Sequence, residues 1–381
     1  MYPLSGNGLH PYLKTRIVMM MSPINKTSLE KLGFSRWFKN RIDSGDMKDF
    51  EIARILSVNK NSYVIGNGIT EMFAEVSGKF IFNADSTGDF PVVGDWIYVQ
   101  YFDDDTFAII HEIFPRKTIL KRKTSGRNVE FQVLASNIDF ALVMQSLDGN
   151  FNIRRLERYL VMIRNSAIQP IVLLSKSDLM SPPEIEQRKS MVQDQAMDVP
   201  VVDFSNNNEN DVERVKQLLA PRKTYCLLGS SGVGKTTLLN KLLHQERFET
   251  QTVREKDARG RHTTSRRQLI VLENESMIID TPGMRELGIF DVEQGMSETF
   301  DEITELSRRC RFRDCSHTRE EGCAILAALN EGSISKERYQ NYMKIRKEAV
   351  HYEMSYLEKR QRDKQFGKLV KSIMKHKKDK K

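Results

Sequence analysis

The sequence predicts a multidomain α/β chain: a small β-barrel first, a mostly parallel α/β domain in the middle, and a helical domain last. Three observations support this order. Short alternating strands fill the stretch from Asp49 to Pro115, and after Val133 apolar strands alternate with helical stretches. From Ser297 onward the pattern is helical and charged, interrupted by one Cys/His cluster. A length of 381 residues suits two or three such domains.

The barrel prediction rests on five short strands divided by turn signals such as Gly66-Asn67-Gly68: EIARILSV, SYVIG, TEMFAEV, DWIYVQYF and TFAIIHEIF. Five strands of this length favour an OB-fold, whose usual work is to bind single-stranded or structured RNA. A barrel with a purely structural role would give the same strand pattern, so the pattern leaves the ligand open.

The central domain is predicted from strands that are apolar on both faces: FALVMQS, PIVLLS, VPVVDF, TYCLLG, LIVLENE and SMIIDT. Helical stretches separate several of them, notably NIRRLERYLVMIRNS, PPEIEQRKSMVQDQAM and KTTLLNKLLHQ. Such an alternation is typical of a mostly parallel sheet covered by helices. Ligands of these sheets bind at the carboxyl ends of the strands.

Charge and hydropathy limit the environment of the protein. The net charge is +8, and the basic excess lies in Arg116 to Arg127 and in the tail after Lys359. These clusters indicate either contact with RNA phosphates or a solvated charged face. No apolar run approaches the roughly 20 residues of a membrane span, and the N-terminus lacks a signal-peptide core. We therefore expect a cytoplasmic protein, and nothing in the sequence demands more than a monomer.

A phosphate-binding loop follows the strand TYCLLG and opens the helix KTTLLNKLLHQ. Backbone N–H groups of such a loop cradle phosphates, its lysine reaches the β and γ phosphates, and the following hydroxyl binds Mg²⁺. The lysine is Lys235 and the hydroxyl is that of Thr236. The predicted phosphate-binding residues are Gly229, Ser230, Ser231, Gly232, Val233, Gly234, Lys235, Thr236 and Thr237.

Two further segments suit the γ-phosphate and its metal ion. Asp280, at the tip of the strand SMIID, begins the DxxG arrangement that ends in Gly283; the carboxylate holds Mg²⁺ through water and the glycine amide senses the γ-phosphate. In GRHTTS, Thr263 is the candidate magnesium ligand and Thr264 the candidate catalytic threonine, although either could take the first role. An ordinary basic loop is the alternative for this segment.

The position that usually carries the water-orienting residue of a GTPase does not hold a suitable side chain here. Met284 stands where Ras-like enzymes carry a glutamine, and a thioether cannot orient water. Either His262 acts there or a partner completes the site, so we predict slow turnover of the isolated protein. A structural or solvent-exposed role for His262 fits the sequence equally well.

A structural zinc site is predicted from Cys310, Cys315, His317 and Cys323. Three thiolates and one imidazole within fourteen residues suit a closed tetrahedral site, which leaves no open position for catalysis. Three unrelated reduced cysteines are the alternative. The fourth cysteine, Cys226, lies in an apolar strand and is assigned to packing.

The segment SKSD comprises Ser175, Lys176, Ser177 and Asp178, and it is similar to the guanine-reading NKxD loop of GTPases. The Asp178 carboxylate can accept hydrogen bonds from guanine N1–H and the 2-amino group, which adenine does not offer. The serine at position 175 replaces the usual asparagine, so we predict reduced base affinity and tighter GDP binding by Ser175→Asn. The loop also lies upstream of the phosphate loop, the reverse of the usual order.

The order of these motifs resembles that of the circularly permuted GTPases, and most closely that of the ribosome small subunit-dependent GTPase A (RsgA) family. The guanine loop comes first, followed by the phosphate loop, the switch threonine, the DxxG turn and the zinc cluster. The resemblance runs from about Leu32 to Tyr342. It rests on GDW, PRKTILKR, NFNIRRLERYL, SKSD, GSSGVGKTTLLN, GRHTTS, DTPGMRELG, CRFRDCSH and EEGCAI.

The resemblance implies an OB-fold domain, a permuted GTPase domain and a zinc domain that act in late maturation of the small (30S) ribosomal subunit. It implies binding to 16S rRNA near the decoding region, and GTP hydrolysis stimulated by the subunit. It also places Ser205 in the loop that backs the guanine base.

The domain boundaries predicted from these patterns divide the chain into six segments: an extension over 1–48, the OB-fold over 49–115, a basic linker over 116–132, the permuted GTPase over 133–296, the zinc-binding helical domain over 297–357 and a basic tail over 358–381. Two rival functions remain. One is an RNA-binding module whose nucleotide is only a structural switch, and the other is an ATP-dependent nucleic-acid enzyme, against which Asp178 argues.

Overall fold

The computed structural model describes residues 28–42, 50–59, 62–102, 106–123, 131–196, 198–244, 267–280 and 292–353. Its strands are β1 Glu51–Val58, β2 Tyr63–Gly66, β3 Glu71–Val76, β4 Trp96–Phe102, β5 Phe107–Ile113, β6 Ile119–Lys123, β7 Phe131–Ser136, β8 Phe140–Ser146, β9 Gln169–Ser175, β10 Val201–Phe204, β11 Thr224–Gly229, β12 Arg267–Val271 and β13 Met277–Asp280. Its helices include α1 Arg36–Lys39, α2 Gly78–Asn83, α3 Ile153–Asn165, α4 Pro182–Gln193, α5 Glu209–Gln217, α6 Lys235–Leu242, α7 Glu293–Thr299, α8 Asp301–Ser307, α9 Ala324–Asn330 and α10 Lys336–Glu353.

The first five strands close into a barrel. They follow the order β1, β2, β3, β5, β4, and β4 pairs back onto β1, while β3 and β5 run parallel. Inward-facing aliphatic side chains such as those of Ile55, Ile65, Ile97 and Ile110 are fully buried inside it. Five strands with this closure and one α-helix between β3 and β4 confirm the predicted OB-type barrel.

The central sheet follows the order β10, β9, β8, β11, β13, β12. Its first five strands are parallel and β12 is antiparallel to β13, which confirms the mostly parallel α/β fold. Successive residues of β8 pack into different cores: Leu142 lies with Leu238 of α6, and Val143 lies with Leu160 of α3. The sheet is therefore buried on both faces, as its continuous apolar strands predict.

The barrel and the central sheet are joined edge to edge. Strand β1 pairs with β12, with Ser57 opposite Gln268 and Val58 opposite Arg267, so that the two sheets form one sheet of eleven strands. The fully buried Arg54 of β1 lies at this junction. Its guanidinium donates to the carbonyl oxygens of Leu32, Gly94 and Asn137 and to the Thr224 hydroxyl. Burial lowers its pKa to about 10, although nearby carboxylates oppose the shift.

Part of the predicted basic linker is a strand. Within 116–132, β6 pairs antiparallel with β7, and the buried side chain of Leu120 anchors it. Lys121 and Arg122 remain partly exposed. Because such charged residues are typical of a linker, the strand is not evident from the sequence. Before β6, Arg116 donates to both carboxylate oxygens of the buried Asp95 at 2.8 Å. This ion pair fixes the exit of the barrel.

The C-terminal helices pack against α3 of the central domain. Glu157 in α3 is only 2% exposed, and its carboxylate accepts hydrogen bonds from Arg338 and Asn341 of α10. Arg338 also donates to Glu302 of α8 and to the carbonyl of Thr299, which ties α7, α8 and α10 together. Over the described ranges, no helix has both the length and the apolar character needed to cross a membrane.

Candidate nucleotide-binding site and metal centre

The phosphate loop connects β11 to α6 at the carboxyl edge of the central sheet. Gly229 ends β11 at φ +146°, and a Cβ there would lie 2.4 Å from the carbonyl oxygen of Met144, so only glycine fits. The Lys235 ammonium donates to the carbonyl oxygens of Gly229 (2.8 Å) and Ser230 (2.7 Å). It can exchange these bonds for the oxygens of a bound phosphate.

Asp280 ends β13, which runs beside β11. Its side chain is partly buried, and this desolvation raises its pKa, while the charge of Lys235 opposes the rise. The opposition shows that the carboxylate and the phosphate-loop ammonium are electrostatic neighbours. A divalent cation held near Thr236, in the first turn of α6, would favour the ionised carboxylate.

The SKSD loop follows β9 and lies against the phosphate loop. The buried Ser175 hydroxyl donates to the carbonyl oxygen of Val233 at 2.7 Å. Lys176 adopts a left-handed conformation at φ +63°, and its ammonium donates to Asp148 at 2.7 Å. The chain then enters a short 3₁₀ turn over Ser177–Leu179.

Side chains of the loop after β10 orient the Asp178 carboxylate. It accepts a hydrogen bond from the Ser205 hydroxyl at 2.5 Å and another from the Asn207 amide at 3.1 Å. The bond from Ser205, followed by that from Asn207, lowers the pKa of Asp178 despite some desolvation. The carboxylate is therefore ionised at neutral pH and can accept two N–H donors of a guanine.

Sequence analysis missed three residues of this edge. Asp148 and Asn150 follow β8, and Asn206 follows β10. Burial alone would raise the pKa of Asp148, but hydrogen bonds from Lys176, Ser146 and a backbone N–H lower it to about 2. Asn150 donates to the Ser230 hydroxyl at 3.2 Å, and Asn206 donates to the Gly234 carbonyl oxygen at 3.2 Å. One feature of the sequence could have identified these three residues: they follow strands of a parallel sheet, whose carboxyl ends meet at the edge where the predicted loops lie.

Several predicted residues fall outside the described ranges. They belong to the switch segment and to the DxxG turn. The residues concerned are His262, Thr263, Thr264, Gly283 and Met284.

The predicted zinc ligands come together in the C-terminal domain. The ligand atoms of Cys310, Cys315, His317 and Cys323 all lie within 4.8 Å of one another. Cys310 Sγ is 3.9 Å from Cys323 Sγ, and both sulfurs are 3.6 Å from His317 Nδ1. A tetrahedral ion with metal–sulfur bonds of about 2.3 Å requires sulfur–sulfur separations of about 3.8 Å. The four groups therefore fit one tetrahedral metal ion.

A phosphate loop and a guanine-type loop meet at one edge of a parallel sheet, and the guanine-type loop comes first in the chain. With an OB-type barrel on one side and a Cys₃His cluster on the other, these features define a circularly permuted P-loop GTPase. The family model described as RsgA GTPase matches residues 113–290. The chain belongs to the RsgA GTPase family and is a GTP-hydrolysing enzyme.

Curated relatives cover most of the chain. "Small ribosomal subunit biogenesis GTPase RsgA 2" of Vibrio parahaemolyticus is 34% identical over 349 residues, which is 91% of this chain and 92% of the relative. "Small ribosomal subunit biogenesis GTPase RsgA 1" of Bacteroides thetaiotaomicron is 35% identical over 331 residues, or 87% and 92% of the two chains.

Two solved structures share the fold. The crystal structure of YjeQ from Thermotoga maritima has a TM-score of 0.58 and 22% identity, and the match covers 77% of this chain and 96% of that one. The crystal structure of YloQ, described as a circularly permuted GTPase, has a TM-score of 0.58 and 23% identity, with coverage of 82% and 100%.

Proposed function

We propose that this GTPase acts as a late assembly factor of the small (30S) ribosomal subunit, that it binds 16S rRNA, and that the subunit stimulates its hydrolysis of GTP to GDP and phosphate. The relatives named for small-subunit biogenesis, at about 35% identity over most of the chain, support the role. The observation that carries the nucleotide assignment is the contact of the SKSD loop with the phosphate loop, through the 2.7 Å bond from Ser175 to Val233. We also propose that the protein is a monomer and that it works in the cytoplasm. The proposed domain boundaries are those of the six segments predicted from the sequence.

In this proposal each loop has one task. Asp178 accepts the guanine N1–H and 2-amino donors, Lys176 lies along the ring, and Ser205 orients the carboxylate. The backbone N–H groups of the phosphate loop hold the phosphates, and Lys235 offsets their charge. Thr263, Thr264, His262 and Gly283 keep the roles predicted for them at the γ-phosphate.

We assign one structural Zn²⁺ to the Cys₃His cluster and Mg²⁺ to the nucleotide site. Thiolates and a neutral imidazole are the ligands that Zn²⁺ prefers, and burial lowers the pKa of His317, which favours its neutral form. Zn²⁺ would hold the loop between α8 and α9 closed. Mg²⁺, held by Thr236 and through water by Asp280, would neutralise charge on the β and γ phosphates.

The test compares hydrolysis of GTP and ATP, with and without purified small ribosomal subunits. We expect slow GTP turnover by the isolated protein, strong stimulation by subunits, and no competition by ATP. Lys235→Ala should abolish both rates, whereas Lys241→Ala, farther along α6, should preserve them. Equal use of ATP would contradict the guanine assignment, and the lack of stimulation would contradict the ribosomal role. A stimulated rate that is unchanged in His262→Ala would remove that histidine from catalysis.

A further inference from the structure

Helices α3 and α10 line an open cavity of about 460 Å³ where the central domain meets the C-terminal helices. Three arginines from the first turns of α3 line it: Arg154, Arg155 and Arg158. Lys344 of α10 faces them. Neither the predicted RNA-binding segments nor the nucleotide site includes these residues. We refer to the cavity as the α3–α10 cleft.

Among the described residues, most of the cationic side chains of the cleft have no carboxylate partner. Arg158 forms an ion pair with Glu348 across the two helices. Among the residues that the structure describes, Arg154, Arg155 and Lys344 have no ion pair with a carboxylate. The neighbouring Glu157 is already bonded to Arg338 and Asn341. Three cations therefore share one cavity, an arrangement that favours a bound anion.

Contacts between α3 and α10 fix the walls of the cleft in the absence of a ligand. Glu157, at 2% exposure, joins α3 to α10 through Arg338 and Asn341, and the pair of Arg158 with Glu348 makes a second link. A preformed site loses less conformational entropy on binding than a mobile one. Arg154 and Lys344 are exposed, so a long polyanion can reach them from solvent.

The cleft is also connected to the phosphate loop by hydrogen bonds. The Arg155 guanidinium donates to the backbone carbonyl of Asn150 and, at 3.0 Å, to its side-chain oxygen. The Asn150 amide in turn donates to the Ser230 hydroxyl at 3.2 Å and approaches the Ser231 carbonyl oxygen at 3.5 Å. A change in the position of Arg155 can therefore reach the loop that holds the phosphates.

We propose that the α3–α10 cleft binds a backbone phosphate of RNA, and that Arg155 and Asn150 connect its occupancy to the phosphate loop. This inference rests on the proposed function, which supplies the RNA. Arginine presents a planar fork that matches a phosphate, and a cluster of arginines suits a phosphodiester. The lining residues of the described chain include no aromatic ring, so the cleft offers no stacking surface for a base or a free nucleotide.

Binding to purified small ribosomal subunits at several salt concentrations tests the site. The double variant Arg154→Gln with Lys344→Gln removes two cleft charges. Its matched control, Lys336→Gln with Lys347→Gln, removes two exposed charges of α10 outside the cleft. We expect about tenfold weaker binding by the cleft variant only, and a salt dependence shallower by roughly 0.7 to 0.9 per cation removed. Unchanged thermal midpoints will confirm that both variants fold.

Equal affinities of the cleft variant and the control would overturn the inference while leaving the ribosomal role intact. Failure of the wild-type protein to bind subunits would instead overturn the proposed function. Inorganic phosphate, added in excess at constant ionic strength, distinguishes a free-phosphate site from an RNA site. Phosphate that binds the wild-type protein but not the cleft variant, without weakening the affinity of the wild type for subunits, would overturn the RNA assignment.

The connection to the phosphate loop is tested with Asn150→Ala. We expect its affinity for subunits to remain within about twofold of wild type, while the ratio of stimulated to unstimulated GTP hydrolysis falls at least about fivefold. The ratio is the measured quantity because Asn150 touches the phosphate loop and basal hydrolysis can change. A wild-type ratio in this variant would disprove the connection.

Discussion

Ser175 joins the SKSD loop to the phosphate loop by a direct hydrogen bond. Its buried hydroxyl donates to the Val233 carbonyl oxygen, and the bond spans 58 positions of sequence. The short side chain therefore performs a positioning task that sequence analysis did not assign to it. The expectation that Ser175→Asn tightens GDP binding stays a prediction, but the larger amide would have to fit a fully buried position.

We predict that Ser175→Ala binds GDP about fivefold more weakly than wild type. The reason is that loss of one buried hydrogen bond costs about 1 kcal/mol and frees the phosphate loop from the guanine loop. A fluorescent GDP titration measures the effect, and Ser190→Ala, on the exposed side of α4, is the control. Wild-type affinity in Ser175→Ala would mean that the bond does not organise the site.

Residues of the site differ in how far the sequence predicts them. Local patterns whose spacing alone carries chemistry include Lys235, Asp178 and the Cys₃His cluster. Asn150 belongs to no such pattern. Its role in the site depends on a hydrogen bond to Ser230, which is eighty positions away in the chain. Long-range contacts of this kind become visible only when the sheet brings separate strand ends together.

Among the elements, the entry to β4 is a place where two backbones approach closely. Gly94 precedes it at φ +94°, and a Cβ at this position would lie 2.2 Å from the carbonyl oxygen of Ser136 in β7. The same carbonyl-rich junction receives Arg54 and Asn137. The glycine of the GDW motif is therefore required by close approach of two backbones.

We predict that Gly94→Ala lowers the free energy of unfolding by about 2 to 4 kcal/mol, since it combines an unfavourable φ with a backbone clash. Gly78→Ala is a matched control, because a Cβ there meets nothing within 4 Å. It should be neutral or slightly stabilising. Urea unfolding measures both variants, and equal midpoints would show that the β4–β7 contact can relax.

Strand β6 shows why an element can escape sequence analysis. Its segment ILKRK has few apolar residues, and the basic run around it favours a solvated linker. The strand exists because β7 pairs with it and Leu120 fills a buried position. Pairing with a partner strand, more than the segment's own alternation, defines this element.

At the scale of the whole molecule, Arg54 holds the barrel and the central domain together. Its donors reach Leu32, Gly94, Asn137 and Thr224, which belong to the N-terminal segment, the barrel, the β7–β8 turn and β11. A buried guanidinium is tolerated here because these acceptors satisfy it. The class of each domain was predictable from its strand pattern, but this shared centre was not.

We predict that Arg54→Lys lowers the free energy of unfolding by about 3 kcal/mol, because one ammonium cannot reach the same set of acceptors and leaves buried carbonyl groups unpaired. Arg36→Lys, at an exposed position of α1, should have almost no effect. Chemical unfolding followed by tryptophan fluorescence measures both, with Trp96 buried beside Arg54. An Arg54→Lys protein as stable as the control would show that water or rearrangement replaces the lost bonds.

The pairing of β1 with β12 also has a consequence for synthesis of the chain. Ser57 leaves the ribosome early, whereas its partner Gln268 is translated roughly 210 residues later. The barrel can close first through β4, but its joint with the central sheet must wait for nearly the whole GTPase domain. We expect this joint to be among the last contacts to form and the first to open under denaturant, so the two sheets become one body only at the end of folding.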